Sequence, residues 1–186
     1  MLPYSNNKDV TIINMLGGPG VGKSTTALGL AYYMSLAQKG KVEYVPEVAK
    51  DYTFEGRHHM LTEQDYIFSK QNNRFRRLVG QVDYIVADTS LLLGFMYMPK
   101  DFPPSFFDYV MDTYNSYNNI NVLIRRGVPY ETVGRNQDEN EAIQIDKDLR
   151  ALLIDTGVPF FEVDNVYGKN VDTVHHIMND LVYKNV

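Results

Sequence analysis

Gly17-Gly18-Pro19-Gly20-Val21-Gly22-Lys23-Ser24 fits the spacing G-x-x-x-x-G-K-[ST] at every fixed position. Glycines at this spacing let successive backbone N–H groups turn inward and hold phosphate oxygens. Lys23 then reaches the β- and γ-phosphates of a nucleoside triphosphate such as ATP. The Ser24 hydroxyl is placed to ligate Mg²⁺, and Thr25 completes the nucleotide-binding set. A plain glycine-rich turn is the alternative, and the flanking sequence argues against it. Residues 10–16 are β-branched and mostly apolar, which predicts a buried strand. Residues 24–38 are rich in Ala, Leu and Met and predict a helix whose N-terminal dipole faces the bound anion.

Two carboxylates complete the candidate chemistry. Asp88 ends the apolar run 82–88, where a phosphate-loop protein carries its second metal-site group. Glu47 ends the run 42–48, and strand C-terminal ends form the ligand crevice of an open α/β sheet. With its strand expected beside the first, Glu47 can accept the proton of an attacking hydroxyl, or be a solvated loop-edge residue. The polar helix expected over 62–79 offers an acceptor wall, with Arg57, Gln71, Arg74 and Arg77 as binding candidates. An ordinary charged helix face is the competing reading of each. Arg125, Arg126 and Arg135 flank an irregular stretch, 127–140, expected to be a lid that closes over the triphosphate. His58 and His59 lack partners at ligand spacing and read as surface residues.

The elements that must position these groups alternate. The first helix should close at Gly40. Pro46 should end the second strand, because proline cannot donate to a sheet ladder. Residues 49–59 have few apolar positions and read as a surface segment. Thr62 and Asp65 approach a capping box. Pro103-Pro104 opens a helix with Phe106, Phe107, Val110, Met111 and Tyr114 as its buried stripe. Residues 120–124 and 159–163 predict two more strands. Ala142, Ile145, Leu149, Leu152 and Leu153 line the helix between them, and Val174, Ile177, Met178, Leu181 and Val182 a last one. The expected fold is a three-layer α/β/α sandwich on a five-stranded parallel sheet, one phosphate-loop domain over residues 1–186.

With 186 residues, 44 % of them apolar, the chain suits a single core. It has no Cys, which excludes disulfides and fits a reducing, cytoplasmic setting. No apolar run approaches a membrane span, and the N-terminus lacks a signal-peptide layout. A net charge of −5 excludes a broad basic face for non-specific nucleic-acid adhesion, leaving only a local groove. Nothing in the pattern sets an oligomeric state.

Three fates compete for the γ-phosphate. A mechanical ATPase usually has a carboxylate directly after the metal-site Asp, and here Thr89 and Ser90 follow Asp88. A GTPase switch reads guanine with Asn-Lys-x-Asp after a later strand. Asn6-Asn7-Lys8-Asp9 resembles that only superficially, and it precedes the phosphate loop. Transfer to an acceptor hydroxyl or phosphate is the remaining fate. A non-catalytic nucleotide-binding module is the alternative of another class.

The phosphate loop, Tyr44-Val45-Pro46-Glu47-Val48-Ala49-Lys50-Asp51, Gln64-Asp65-Tyr66-Ile67-Phe68 with Gln71, the run from Asp83 to Leu92, and Gly134-Arg135-Asn136-Gln137 together resemble small phosphate-loop kinases of tailed bacteriophages. That group is similar to thymidylate kinases and to the nicotinamide riboside kinase module. Some of its members are 5-hydroxymethyluracil DNA kinases, which act on the way to hypermodified thymidines. The resemblance spans about residues 10–165. It implies ATP as donor, Mg²⁺ as cofactor and a nucleotide-type acceptor, with modified DNA as the favoured case. A free nucleoside, a nucleotide or nicotinamide riboside is the alternative acceptor. The chain departs from thymidylate kinases, which carry Asp-Arg-Tyr-like residues where it has Asp88-Thr89-Ser90. If the acceptor is DNA, Arg57, Lys70, Arg74, Arg76 and Arg77 are the candidate groove.

Overall fold

The computed structural model describes residues 7–127, 129–130, 137–165, 170–177 and 179. Five strands form one parallel sheet: β1 (Thr11–Leu16), β2 (Val42–Val45), β3 (Tyr84–Ala87), β4 (Asn118–Arg125) and β5 (Phe161–Asp164). Their order is β2-β3-β1-β4-β5. β3 therefore separates β2 from β1, which corrects the expectation that the first two strands are neighbours. Val42–Val45 pairs with Tyr84–Ala87 in register, and β3 in turn pairs with β1.

Both faces of β1 are buried because its side chains alternate into two separate cores. Ile12 and Leu16 join one core and Ile13 and Met15 the other. The first core is covered by α3 (Gln64–Arg76), α4 (Pro104–Asn115) and α5 (Glu139–Asp155) through Phe68, Phe75, Val110, Tyr114, Leu149 and Leu153. The second is covered by α1 (Lys23–Leu36) and α6 (Asn170–Ile177) through Leu30, Met34, Val174 and Ile177. The result is the three-layer sandwich, with helices on both faces of the sheet. One polar chain runs through the first core. Asn14 donates to Asn121 Oδ1 at 3.2 Å, and Asn121 donates to the Tyr114 hydroxyl at 2.6 Å. These buried amides are thereby satisfied.

Several local expectations change. Residues 49–59 are not merely surface: α2 (Val48–Phe54) lies there, burying Val48 and Tyr52 against Ile67. Those two residues are four apart, so they share one helix face. α1 ends before Gly40. Gln38 takes the left-handed position at φ 51, and Lys39 N closes back on Met34 O. No side chain caps α3. Glu63 is its N-cap, while Thr62 donates to His59 O and Asp65 accepts from its neighbour Tyr66 N. Phe107 is exposed rather than part of the buried stripe of α4, and it stacks on Phe95 at 4.5 Å. Asp138 and Glu141 do form a full capping box at the start of α5. No helix of the described residues is long and apolar enough to cross a membrane.

Candidate active site

Every strand delivers a functional group at its C-terminal end. The phosphate loop follows β1, Glu47 and Lys50 follow β2, Asp88 follows β3, Arg126 follows β4 and Asn165 follows β5. A parallel sheet points all five ends the same way, so these residues meet at one edge.

The loop is shaped by its glycines and held from outside. Gly22 has φ 91, and a Cβ there would run into the Asn165 side chain. Gly17 has φ 138, and a Cβ would meet Val21 Cγ2 at 2.7 Å. Gly22 is also the N-cap of α1 and has no side-chain cap, so the first helical N–H groups face the loop. Four tethers fix the loop. Asn165 donates to Val21 O at 2.6 Å and Arg126 to Pro19 O at 2.8 Å. Asp146 accepts from Gly18 N at 2.6 Å and pairs with Arg126 at 2.9 Å. Lys23 donates to Gly17 O and Gly18 O at 2.9 and 3.1 Å. Asn165→Ala would leave the buried Val21 carbonyl unsatisfied. We expect a loss of about 1–3 kcal/mol in urea unfolding together with weaker nucleotide binding.

The loop opens on a cleft of about 370 Å³. Lys23, Ser24 and Thr25 line one wall. Glu47, Ala49, Lys50, Thr53 and Phe54 line the opposite one, and Gln64, Tyr97 and Gln137 contribute from further along the chain. A smaller recess of about 40 Å³ adjoins it, walled by Phe68, Gln71, Leu91 and Leu93. Glu47, Ala49, Gln64 and Tyr97 belong to both.

Asp88 is buried beside Ser24. Burial pushes its carboxyl above the ordinary carboxylate range, while the Ser24 hydroxyl, Lys23, Lys50 and Tyr44 pull it back. Tyr44 donates to Asp88 Oδ2 at 3.4 Å, and burial together with Asp88 drives that phenol well upward. The other oxygen, Asp88 Oδ1, is buried with no hydrogen-bond partner among the described residues. A hard-oxygen ligand set of Ser24 hydroxyl and Asp88 carboxylate fits Mg²⁺, which takes few protein ligands and fills its shell with phosphates and water. Burial also raises the Glu47 carboxyl, partly offset by Lys23 and Lys50. Tyr97 is raised by burial first and by Glu47 second, so its phenol stays protonated.

The sequence candidates fall in different places. The residues from Gly17 to Thr25, Glu47 and Asp88 are brought together. Arg126 is there too, but it braces the loop through Asp146 and Pro19 and lies over the Tyr130 ring at 5.7 Å. Arg125 points elsewhere: it is exposed and pairs with Asp164 at 2.8 Å, because it ends a strand on the alternate face. Arg135 and residues 128 and 131–136 of the expected lid lie outside the described residues.

Gln71 and Arg74 were expected to reach the acceptor. Both hold the bend after β2, and Gln71 also lines the smaller recess. Gln71 Oε1 accepts from Val48 N at 2.9 Å and Nε2 donates to Pro46 O at 3.4 Å, on either side of Glu47. Arg74 donates to Pro46 O at 3.0 Å and pairs with Asp51 at 2.6 Å. Arg57 is exposed, paired with Glu55 at 3.2 Å and set over the Tyr52 ring. Arg77 is exposed at the end of α3. His58 and His59 are exposed, and no cluster of three or more metal-ligating side chains occurs among the described residues.

Sequence reasoning missed Lys50, Gln64, Tyr97 and Asn165. Lys50 donates to Ser24 Oγ at 2.9 Å and stands 3.9 Å from Asp88 Oδ2. Its position on the first turn of α2, three residues after Glu47, was the available signal.

The same fold occurs in NadR, solved in complex with NAD and AMP-PNP. The TM-score is 0.67 with 18 % identity over 92 % of this chain. The chain spans 50 % of that NadR chain. Deoxyadenosine kinase from M. mycoides, with the products dCMP and dCDP, matches at TM-score 0.60 and 16 % identity, covering 95 % of this chain and 100 % of that one. The same enzyme with bound dATP matches at 0.58 and 17 %, over 92 % and 98 % of the two chains. At these identities the likeness is one of fold. No curated protein matches the sequence. A family match does extend across the sheet, the loop and all five strand ends, from residue 12 to residue 169, and the chain belongs to the AAA domain family.

Proposed function

We propose that the chain is a phosphotransferase that uses ATP and Mg²⁺ to phosphorylate the hydroxyl of a nucleotide-type acceptor. The observation that carries this reading is the place of Glu47. Glu47 lines both the phosphate-loop cleft and the adjoining recess, which supports a base at the junction of donor and acceptor. The loop N–H groups and Lys23 hold the triphosphate. Ser24 and Asp88 would hold the metal, which when bound neutralises charge on the β- and γ-oxygens. Glu47 takes the proton of the attacking hydroxyl as its oxygen bonds to the γ-phosphorus and the bond to the β–γ bridging oxygen breaks. ADP leaves, and the proton remains on a carboxyl whose burial favours it. Thr89 and Ser90 follow Asp88 where a motor ATPase usually has a second carboxylate, which favours this reading despite the family's name.

Within this reading we place 5-hydroxymethyluracil in phage DNA first, on the sequence resemblance. A cluster of cations on tyrosine rings formed by α3 and the segment around α2 also supports it. Lys70 lies 4.9 Å from the centre of the exposed Tyr66 ring, and Arg57 is close by on Tyr52. A free nucleoside, nucleotide or nicotinamide riboside is the second reading. Fold neighbours that include a deoxyadenosine kinase favour it. Such an enzyme would act in the cytoplasm, where ATP is present.

The test is transfer of labelled γ-phosphate from ATP to a panel holding hydroxymethyluracil DNA, the free nucleoside, deoxynucleosides and nicotinamide riboside. ADP release that depends on one acceptor supports the enzyme. Binding of ATP with no acceptor-dependent release identifies a non-catalytic module. Salt separates the two acceptor classes. For DNA the log of the acceptor constant should fall with log salt by about 0.9 per neutralised phosphate. For a nucleoside it should stay flat.

A further inference from the structure

We propose that Lys50 is a built-in cation that stands in the divalent metal's place and makes metal binding depend on the nucleotide. Its ammonium donates to Ser24 Oγ at 2.9 Å and lies 3.9 Å from Asp88 Oδ2. Those are the two groups that would hold Mg²⁺, so the inference takes its metal ligands from the phosphotransferase reading. A metal held by these two groups and an ammonium bonded to the same hydroxyl would repel each other.

The ammonium is also able to leave. The Lys50 side chain is 41 % exposed, while that of Asp88 is 1 % exposed, so the lysine moves and the carboxylate stays. Its stem comes from the first turn of α2, whose following turn also lines the cleft through Thr53 and Phe54. The charges facing it are Asp88, Glu47 and Lys23, the last a like charge across the cleft.

This arrangement treats two arrivals differently. A divalent cation coming alone must expel the ammonium from two oxygen partners, leaving it water and, among the described residues, Glu47 as the facing carboxylate. A cation arriving on a triphosphate brings phosphate oxygens into the same cleft. Those oxygens offer the displaced ammonium a new anionic partner beside the transferring group. The metal therefore enters with the nucleotide, and Lys50 passes from the metal ligands to the phosphates in the same event.

The test uses Mn²⁺ alone, read by electron paramagnetic resonance on the full chain without nucleotide. Wild type should bind it weakly at this site. Lys50→Gln should bind it about tenfold more tightly, a size usual for coupling between two sites. Lys50→Gln combined with Asp88→Asn should lose that gain. Circular dichroism checks that each variant is folded, which the partial exposure of Lys50 leads us to expect. Equal Mn²⁺ affinity in wild type and Lys50→Gln, no detectable binding in either, or a gain that survives Asp88→Asn would each overturn the proposal. The readout needs no acceptor, so a failed acceptor panel leaves it standing, and a failed Mn²⁺ test leaves the phosphotransferase reading standing.

Discussion

Glu47→Gln is expected to lower turnover by about 10²–10⁴-fold, the usual reach of a general base, with ATP affinity nearly unchanged. The amide keeps the shape of the carboxyl. The bend that carries it is fixed by other groups, namely Gln71 on the Pro46 carbonyl and the Val48 amide, and Arg74 on Pro46. The substitution therefore removes the proposed proton acceptor and leaves its mounting in place. Equilibrium binding of a fluorescent ATP analogue and steady-state turnover separate the two effects. A Glu47→Gln protein that loses ATP binding but reaches normal turnover at saturation would show that Glu47 serves the donor instead.

The same variant has a pH signature. Burial raises the Glu47 carboxyl above the ordinary range, with Lys23 and Lys50 opposing. In the proposed role of base it must be ionised, so the acid limb of the wild-type pH–rate profile should sit above an ordinary carboxylate's and vanish in Glu47→Gln. The stability effect has the opposite direction. With a folded pKa above the unfolded one, the folded protein binds more protons between those two values. Stability then falls as pH rises through that window. At neutral pH Glu47→Gln should melt at or above the wild-type temperature. A slower but no less stable variant marks a group kept for chemistry.

Much of the site was legible because each part is written locally. A β-branched run followed by glycines defines the loop, and Asp88 closes its own apolar run. Strand ends in a parallel sheet converge without further information, which is why Glu47 and Asp88 could be placed from sequence. The strand order could not be read that way. Nothing local to Val42–Val45 says that it pairs with Tyr84–Ala87 instead of Thr11–Leu16. Asn165 was invisible for a related reason: its partner is Val21, 144 residues away. Arg74 and Gln71 carry a structural role that their sequence positions did not announce. A polar residue on a helix near the cleft looks like a ligand-binding group. Here the bend between β2 and α2 exposes backbone polar groups that these side chains satisfy. Arg125 and Arg126 are adjacent, yet alternation sends one to an exposed partner and the other to the loop.

Lys23→Ala is expected to cost about 10²–10³-fold in turnover, the usual loss for one preorganised charge at a developing anion. Lys23 does more than face phosphate, since its ammonium also spans the Gly17 and Gly18 carbonyls. Its removal therefore loosens the first half of the loop as well. The loop should nonetheless keep its course. Asp146 on Gly18 N, Arg126 on Pro19 O and Asn165 on Val21 O are independent of Lys23. Val21 stays fully buried in the core beneath. The variant should then unfold cooperatively near the wild-type denaturant midpoint, bind ATP more weakly and transfer phosphate very slowly. Two rescue variants separate charge from bracing. Lys23→Arg restores a cation in a wider fork, and Lys23→Met restores the stem without charge. If charge at the phosphates dominates, Lys23→Met is as slow as Lys23→Ala despite its better packing, and Lys23→Arg recovers part of the rate. Full turnover in a folded Lys23→Ala protein would remove the phosphate loop from the reaction, and with it the proposed phosphoryl transfer.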